Sequence, residues 1–249
     1  MYKRKYGIIA AMKIEAELII AAMEETKTET VGSIEFTLGK LRRENPHAGG
    51  EVAEADVIVA VCGIGKVFAA MCAQTMIVKY APDYIINTGV AGTLSHEIGI
   101  GDVVIASGVV EHDMDTSPLG DPVGWISGLD LIEMPCSDRL VMSELRNAAA
   151  EVLAETGNHY IHGLIASGDR FVADDATKKQ IIERFGAVAC EMEGGAVGQV
   201  CTANKVPFAV IRAISDDADG GAVEDYPAFA KKSAETSARI LIHAITMIF

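Results

Sequence analysis

The sequence predicts an α/β fold built on a mixed or largely parallel sheet with both faces covered. Three observations carry this. Strand-like runs alternate with stretches of helical spacing along the chain. Several strand-like runs, among them Ala55 to Cys62 and Phe208 to Ile214, are apolar at nearly every position, as in strands buried on both sides. Glycine-containing turns follow strand ends, at Gly63-Ile64-Gly65 and at Gly89-Val90-Ala91-Gly92.

The elements follow in order. Gly7 to Ala11 reads as a buried strand. Lys13 to Thr26 has helical spacing, with Ile14, Leu18, Ala21 and Ala22 on one face and Glu17, Glu24 and Glu25 largely off it. Ile34, Phe36 and Leu38 alternate with Glu35 and Thr37, which predicts a half-buried strand. Residues 42–54 turn polar, and Asn45-Pro46 and Gly49-Gly50 mark a turn or exposed loop. After the strand Ala55 to Cys62, Lys66 to Lys79 reads as a helix. Tyr84 to Thr88 is a strand that ends at the glycine turn, and Asp102 to Val110 is a longer one. Residues 112–130 hold Pro118, Gly120, Pro122, Gly124 and Gly128 and form a long loop. Ser137 is placed to cap a helix running to about Thr156. Tyr160 to Ala166 is a strand, and Asp174 or Asp175 caps the next helix. Val188 to Cys190 is a short strand before a helix ending near Asn204. Phe208 to Ile214 is the last strand, and Tyr226 to Ile248 contains the last helix. No repeat, low-complexity tract or linker divides the chain, so residues 1–249 are expected to form one domain.

Composition narrows the function. Of 249 residues, 50% are hydrophobic and 22% are charged, enough for a sizeable core. The chain carries 21 basic against 35 acidic side chains, a net charge of −14. That disfavours nucleic acid and anionic membranes as partners, and leaves neutral or zwitterionic substrates unpenalised. The five cysteines, Cys62, Cys72, Cys136, Cys190 and Cys201, form no CxxC pair, and since four lie in apolar surroundings that read as core, the reading is buried thiols in a reducing cytoplasm. The apolar run after the basic N-terminus is broken at Lys13, Glu15 and Glu17, so it does not read as a secretory signal. No stretch reaches the ~18–20 apolar residues of a membrane span.

Several motifs resolve to ordinary structure. Gly63-Ile64-Gly65-Lys66 lacks the spacing of a Walker loop, and Phe68 stands where a dinucleotide fold needs its third glycine. A tight strand-to-helix turn is the better reading. His112-Asp113-Met114-Asp115 offers too few ligands, too loosely spaced, for a metal site. More informative are acidic residues at three separate strand ends: Glu15 after the first strand, Glu191-Met192-Glu193 opening a helix, and Asp216 after Arg212-Ala213-Ile214-Ser215. Ligands of open α/β sheets collect outside the carboxyl ends of strands, so these carboxylates can meet in one pocket. Each alone also reads as a helix cap or a solvated charge.

At the same residues the chain resembles a known family. Gly7-Ile8-Ile9-Ala10-Ala11-Met12, Gly63 to Val67, Asn87 to Gly92, Ala166 to Val172, Glu191 to Gly194 and Arg212 to Asp216 occur in order. Together they look like the 5′-methylthioadenosine/S-adenosylhomocysteine nucleosidases of the purine nucleoside phosphorylase superfamily. The resemblance implies a three-layer α/β/α fold with a central mixed sheet, a homodimer, and hydrolysis of an N-glycosidic bond to adenine and a 5-thio-substituted ribose without a cofactor or metal. It implies that Glu15 activates water and that Asp216 faces adenine N7 and the exocyclic amine, with Arg212 near the water. Met192 and Glu193 would hold the ribose, next to Glu191. Phe171 would stack on the purine, and the Val172 backbone would read its edge. Tyr226 would cover the ribose and 5′ group, and Met12 would line the same side. Val90, Ala91, Gly92 and Ser215 would complete the pocket, and Leu119 would reach the 5′ group of a neighbouring subunit.

The chemistry suits these residue types. Adenine leaves easily only when N7 is protonated, which asks for a carboxyl that keeps its proton near neutral pH in a desolvated pocket. The sugar then becomes oxocarbenium-like, and one carboxylate takes a proton from water while another strengthens its hydroxyl bonds. The sequence departs from the family at Lys13-Ile14, where acidic residues are usual, and at Val90, which stands where many members have serine. The segments 41–54 and 112–128 are also distinctive. A phosphorylase of the same superfamily would need arginines where Ala10 to Glu15 and Asn87 to Val90 stand. Nucleosidases acting on AMP or on futalosine-type compounds share more, and a non-catalytic nucleoside-binding protein would not need Glu15.

Overall fold

The computed structural model describes residues 4–44, 52–136, 139–216 and 226–247. The strands are β1 (Lys5–Ala10), β2 (Glu24–Val31), β3 (Ile34–Glu44), β4 (Val52–Val61), β5 (Tyr84–Thr93), β6 (Val103–Glu111), β7 (Met134–Pro135), β8 (Tyr160–Ser167), β9 (Ala189–Glu191) and β10 (Phe208–Asp216). The helices are α1 (Lys13–Ala22), α2 (Lys66–Tyr80), α3 (Arg139–Ala154), α4 (Asp175–Phe185), α5 (Gly194–Asn204) and α6 (Tyr226–Met247). All ten strands join one mixed sheet in the order β10-β6-β8-β9-β5-β1-β4-β3-β2, with β7 added to β6. A further pairing of β10 with β5 closes the first five of these strands into a ring.

The central strands are apolar on both faces because both faces are covered. Ile8, Ile86, Ile105 and Ile211 point to a layer of α1, α3 and α6, where Ile19, Leu145 and Leu241 meet them. Their neighbours Ile9, Ile85, Val104 and Val210 point the other way, onto Cys72, Met76, Val197 and Cys201 of α2 and α5. This period-two division of each apolar run is what makes three layers. A smaller cluster lies under α4, where Ile181 packs with Val110, Ala166 and Val172.

Several boundaries differ from those read off the sequence. The first helix stops at Ala22, and residues 24–31 form β2, an exposed strand paired antiparallel with β3. Its alternating threonines are β-branched, and the ladder to β3 outweighs the glutamates between them. The buried face of α1 is Glu15, Ala16 and Ile19, not the face of Ile14, Leu18, Ala21 and Ala22. The glutamate turns inward because three backbone amides receive it, as shown below. The polar stretch after residue 41 is a hairpin rather than a loop at its ends, with β3 reaching Glu44 and β4 starting at Val52. Arg42 holds it, donating to Glu24, Glu54 and Glu25 across three strands. The turn signals at residues 45–50 and the Ser137 cap lie outside the described residues. Strand β5 runs on through the expected glycine turn to Thr93. Asp174 does cap α4, accepting from Thr177 N at 2.8 Å.

Ile211 sits fully buried between β5 and β6 in the strand that carries the site. We expect Ile211→Ala to cost about 2–5 kcal/mol of unfolding free energy. The Arg42 pairs lie at the surface, where water and salt screen them, so Arg42→Met should be nearly neutral. Urea unfolding of the two variants checks this, and the reverse ranking would place the stabilising weight in the hairpin instead.

Candidate active site

The cleft opens where β5 changes neighbours. One edge of β5 pairs with β1 as far as Asn87 and with β9 only from Gly92. Between them the Val90 amide has no strand partner and donates to Glu15 Oε1 at 3.1 Å. The other Glu15 oxygen accepts from Ala11 N at 2.9 Å and Met12 N at 2.8 Å. Glu15 is thus the third residue of α1, reaching back to the helix's first free amides, as a capping glutamate does. The cap reading and the functional reading hold together, because the capped carboxylate also borders the cleft. A methyl group on Gly89 would overlap both Glu15 and Arg212, so only glycine lets β5 pass this close.

Arg212 lies beneath the cleft, fully buried, with Nη2 donating to Asn87 Oδ1 at 2.5 Å and to Glu191. Glu193 Oε2 is 3.6 Å away. Burial works against the guanidinium charge, but Glu191, Glu193 and Glu15 outweigh it and keep Arg212 protonated. Glu191, at the end of β9, is fully engaged. One of its oxygens accepts from Ser167 Oγ, and the other from Arg212, Glu193 N at 3.0 Å and Gly194 N at 2.8 Å. Glu193, the cap of α5, accepts from Gly65 N at 2.8 Å.

One cation therefore faces three buried carboxylates, and proton affinities rise accordingly. Burial raises Glu15, against Arg212 and the three amides. Burial and the neighbouring Glu191 raise Glu193 to about 7, although Arg212 pulls the other way. Nearby, burial pushes the Cys62 thiol to about 12, which leaves it protonated and inert.

Asp216 closes the far side. The β10–β5 register slips between Ile214 and Asp216, a bulge that re-aims the last residue of the strand. Asp216 is buried, and Ser215 Oγ donates to its Oδ2 at 3.1 Å.

The cleft encloses about 610 Å³ including its open mouth. Of the residues expected from sequence, Met12, Glu15, Val90, Ala91, Gly92, Phe171, Val172, Glu191, Met192, Glu193, Ser215 and Asp216 all border it. Phe171 stands half-exposed at the rim and Val172 is buried. Two others, Arg212 and Leu119, do not border it. Arg212 supports the floor without lining the space. Leu119, in a single 3-10 turn at Ser117–Leu119, projects into solvent. Tyr226 opens α6, and its side chain lies outside the described residues. Sequence reasoning missed Ala11, Ile64, Arg170 and Cys190, which border the cleft as well. Ile64 is an apolar residue flanked by two glycines at a strand end, and nothing in that pattern marks the space it borders.

The His112 to Asp115 run holds no metal cage. Asp113 pairs with Lys66, and among the described residues no group of three or more histidines, cysteines or carboxylates is placed to hold an ion.

Comparisons agree with this architecture. The family model of the phosphorylase superfamily matches residues 5–246. A 5′-methylthioadenosine/S-adenosylhomocysteine nucleosidase of Shewanella loihica is 40% identical over 96% of this chain and 97% of its own. The nucleosidase of that name from Neisseria meningitidis, solved in complex with methylthio-immucillin-A, superposes with a TM-score of 0.87 at 33% identity, covering 98% of this chain and 99% of that one. The futalosine hydrolase of Helicobacter pylori superposes with a TM-score of 0.83 at 32% identity, covering 97% of each chain.

Between its ordinary value of 4.5 and about 7, the folded chain keeps a proton on Glu193 that the unfolded chain has lost. This group's contribution to stability therefore falls as pH rises through that window. We expect Glu193→Gln to melt higher than the wild type near pH 8 and level with it near pH 5. Calorimetry at the two pH values checks this, and a lower melting temperature for the variant near pH 8 contradicts it.

Proposed function

The chain belongs to the phosphorylase superfamily and to its 5′-methylthioadenosine/S-adenosylhomocysteine nucleosidases, and from that membership and the cleft's geometry we propose that it hydrolyses the N-glycosidic bond of those two nucleosides to adenine and a 5-thio-substituted ribose. One observation carries hydrolysis over phosphorolysis. The Glu15 end of the cleft presents carboxylates, and the cation beneath it, Arg212, does not border the space and has its Nη2 engaged by Asn87 and Glu191. A phosphate nucleophile needs cationic donors and would meet repulsion there. Water meets a general base.

In this reading Glu15 takes the proton from water. Its carboxylate is held by three amides, and its raised proton affinity makes it a stronger base than an exposed glutamate. Arg212 orients the carboxylates around that water. Asp216 protonates N7 and holds the exocyclic amine, so adenine departs neutral. Phe171 stacks on the purine, and the Val172 backbone reads its edge. Met192 and the free oxygen of Glu193 clamp the ribose, with Met12 and Tyr226 over the sugar and its 5′ group. Val90, Ala91, Gly92 and Ser215 shape the remaining wall. Glu191 acts through Arg212 and the α5 amides rather than by touching substrate.

The same reading takes residues 1–249 as one domain and the enzyme as a homodimer. Val67, Phe68 and Met71 share an exposed face of α2 beside the exposed Ile64, an apolar patch suited to a second copy. Leu119, 83% exposed, would then complete the neighbour's 5′ pocket. Free thiols at all five cysteines support a cytoplasmic setting, and the substrates suit nucleoside catabolism and methionine salvage. No helix among the described residues is long and apolar enough to cross a membrane. The likeness to a futalosine hydrolase supports a second reading, a purine nucleosidase for another 5′ group, because the same carboxylates would cleave either bond.

Adenine release in phosphate-free buffer from methylthioadenosine, adenosylhomocysteine and a futalosine-type nucleoside tests the reading. We expect release from the first two, and a dependence on added phosphate would defeat hydrolysis. Glu15→Gln should lower turnover by about 10²–10⁴-fold with little change in ligand affinity. Near-normal turnover would remove Glu15 from the chemistry. Leu119→Asp should raise KM for methylthioadenosine or lower the mass in solution. If neither changes, the turn at Ser117–Leu119 lies outside the site.

A further inference from the structure

Two sequence features are left over from this account, the Gly63 to Lys66 turn and the His112 to Asp115 run. The fold brings them together. Lys66 Nζ donates to Asp113 Oδ1 at 2.7 Å and to the buried Glu111 Oε2 at 2.9 Å. The other Asp113 oxygen accepts from Asp169 N at 2.8 Å, and Asp169 Oδ1 accepts from Lys66 N at 2.8 Å. The contacts form a closed ring that ties the start of α2 to the loops after β6 and β8. The loops touch closely, since a methyl group on Gly168 would overlap His112 and Asp113.

The lysine is out of place by local rules. It is the first residue of α2, where the helix dipole disfavours a cation. Its side chain is only 18% exposed, so it gives up most of its hydration. Glu111 and Asp113 compensate. Burial works against the Lys66 charge, but those two carboxylates more than offset it. Burial likewise works against the charge on Asp113, and Lys66 with the Asp169 amide overcomes it.

The ring adjoins Glu193. The residue before Lys66 supplies the Gly65 amide that binds Glu193 Oε1. Gly65 sits at φ 101, a left-handed conformation of a residue with wide freedom, so nothing in its own chemistry fixes that amide. Glu111, under the ammonium, packs against Gly195 in the first turn of α5, two residues beyond Glu193.

We propose that Lys66 is a positioning residue for ribose recognition: by closing the ring it fixes the Gly65 amide on Glu193 and presents that carboxylate's second oxygen to the sugar hydroxyls. The inference rests on the assignment of Glu193 to the ribose, and its consequence is coupling. The cost of losing Lys66 must be paid through Glu193.

A double-mutant cycle on methylthioadenosine affinity tests it, with every protein carrying Glu15→Gln so that the ligand survives. We expect Lys66→Met to weaken binding about tenfold, and by no more than about twofold when Glu193→Gln is already present. Lys66→Arg should recover most of the affinity, since it can still reach both carboxylates. Asp113→Asn breaks the ring from the other side and should reproduce the Lys66→Met loss. It takes the place of Lys66→Met in the cycle if that variant does not fold. Equal losses with and without Glu193, or an unchanged affinity, overturn the positioning role. Tight binding without coupling defeats this inference alone, whereas failure of the wild type to release adenine defeats the hydrolytic reading alone.

Discussion

The structure depends on one buried guanidinium. Arg212 lies in the middle of β10, fully enclosed, and answers the charges of Glu15, Glu191 and Glu193. Without a cation there, three carboxylates could not stay ionised so far from water. With only one, burial raises the proton affinity of Glu15 and lifts Glu193 to about 7. That shortfall gives the cleft, at Glu193, a group able to exchange a proton near neutral pH. Asn87, across the ladder on β5, accepts from Arg212 and donates to Ile9 O, tying the guanidinium to the first strand.

The cleft is made from places where regular structure lapses. Strand β5 parts from β1 after Asn87 and meets β9 at Gly92, which frees the Val90 amide for Glu15. Strand β10 slips its register before Asp216. Glu191 and Glu193 cap α5 where β9 has just ended. Each lapse leaves backbone donors or a re-aimed side chain facing the same space. The closing of β10 onto β5 brings the lapses within reach of one another.

Legibility in the sequence followed the locality of the forces. The start of the strand at Tyr84 and the Asp174 cap of α4 depend on near neighbours, and both stand where the sequence puts them. The face of α1 differs because periodicity puts Ile14, Leu18, Ala21 and Ala22 inward, whereas amides of Ala11, Met12 and Val90 draw Glu15 in, and Ala16 and Ile19 with it. Strand β2 was invisible, since its glutamates and threonines become a strand only when β3 lies alongside. Ile64 and Cys190 were missed as cleft residues for a similar reason: an apolar side chain at a turn or strand end gives no sign of which space it will border.

By itself the sequence determined the layer architecture and the chemical types at the strand ends, because burial on two faces writes a pattern that any sheet of this kind must satisfy. It also placed Glu15, Glu193 and Asp216 at points where ligands gather. Only the tertiary structure decided that Arg212 would serve as a floor rather than a wall, that Glu191 would be spent on Ser167, Arg212 and the α5 amides, and that Lys66 would meet Asp113. Apart from the α5 amides, which lie two and three residues from Glu191, those outcomes turn on ångström-scale distances between residues tens of positions apart. No local pattern encodes them, since electrostatic partners are chosen by proximity after the chain has folded.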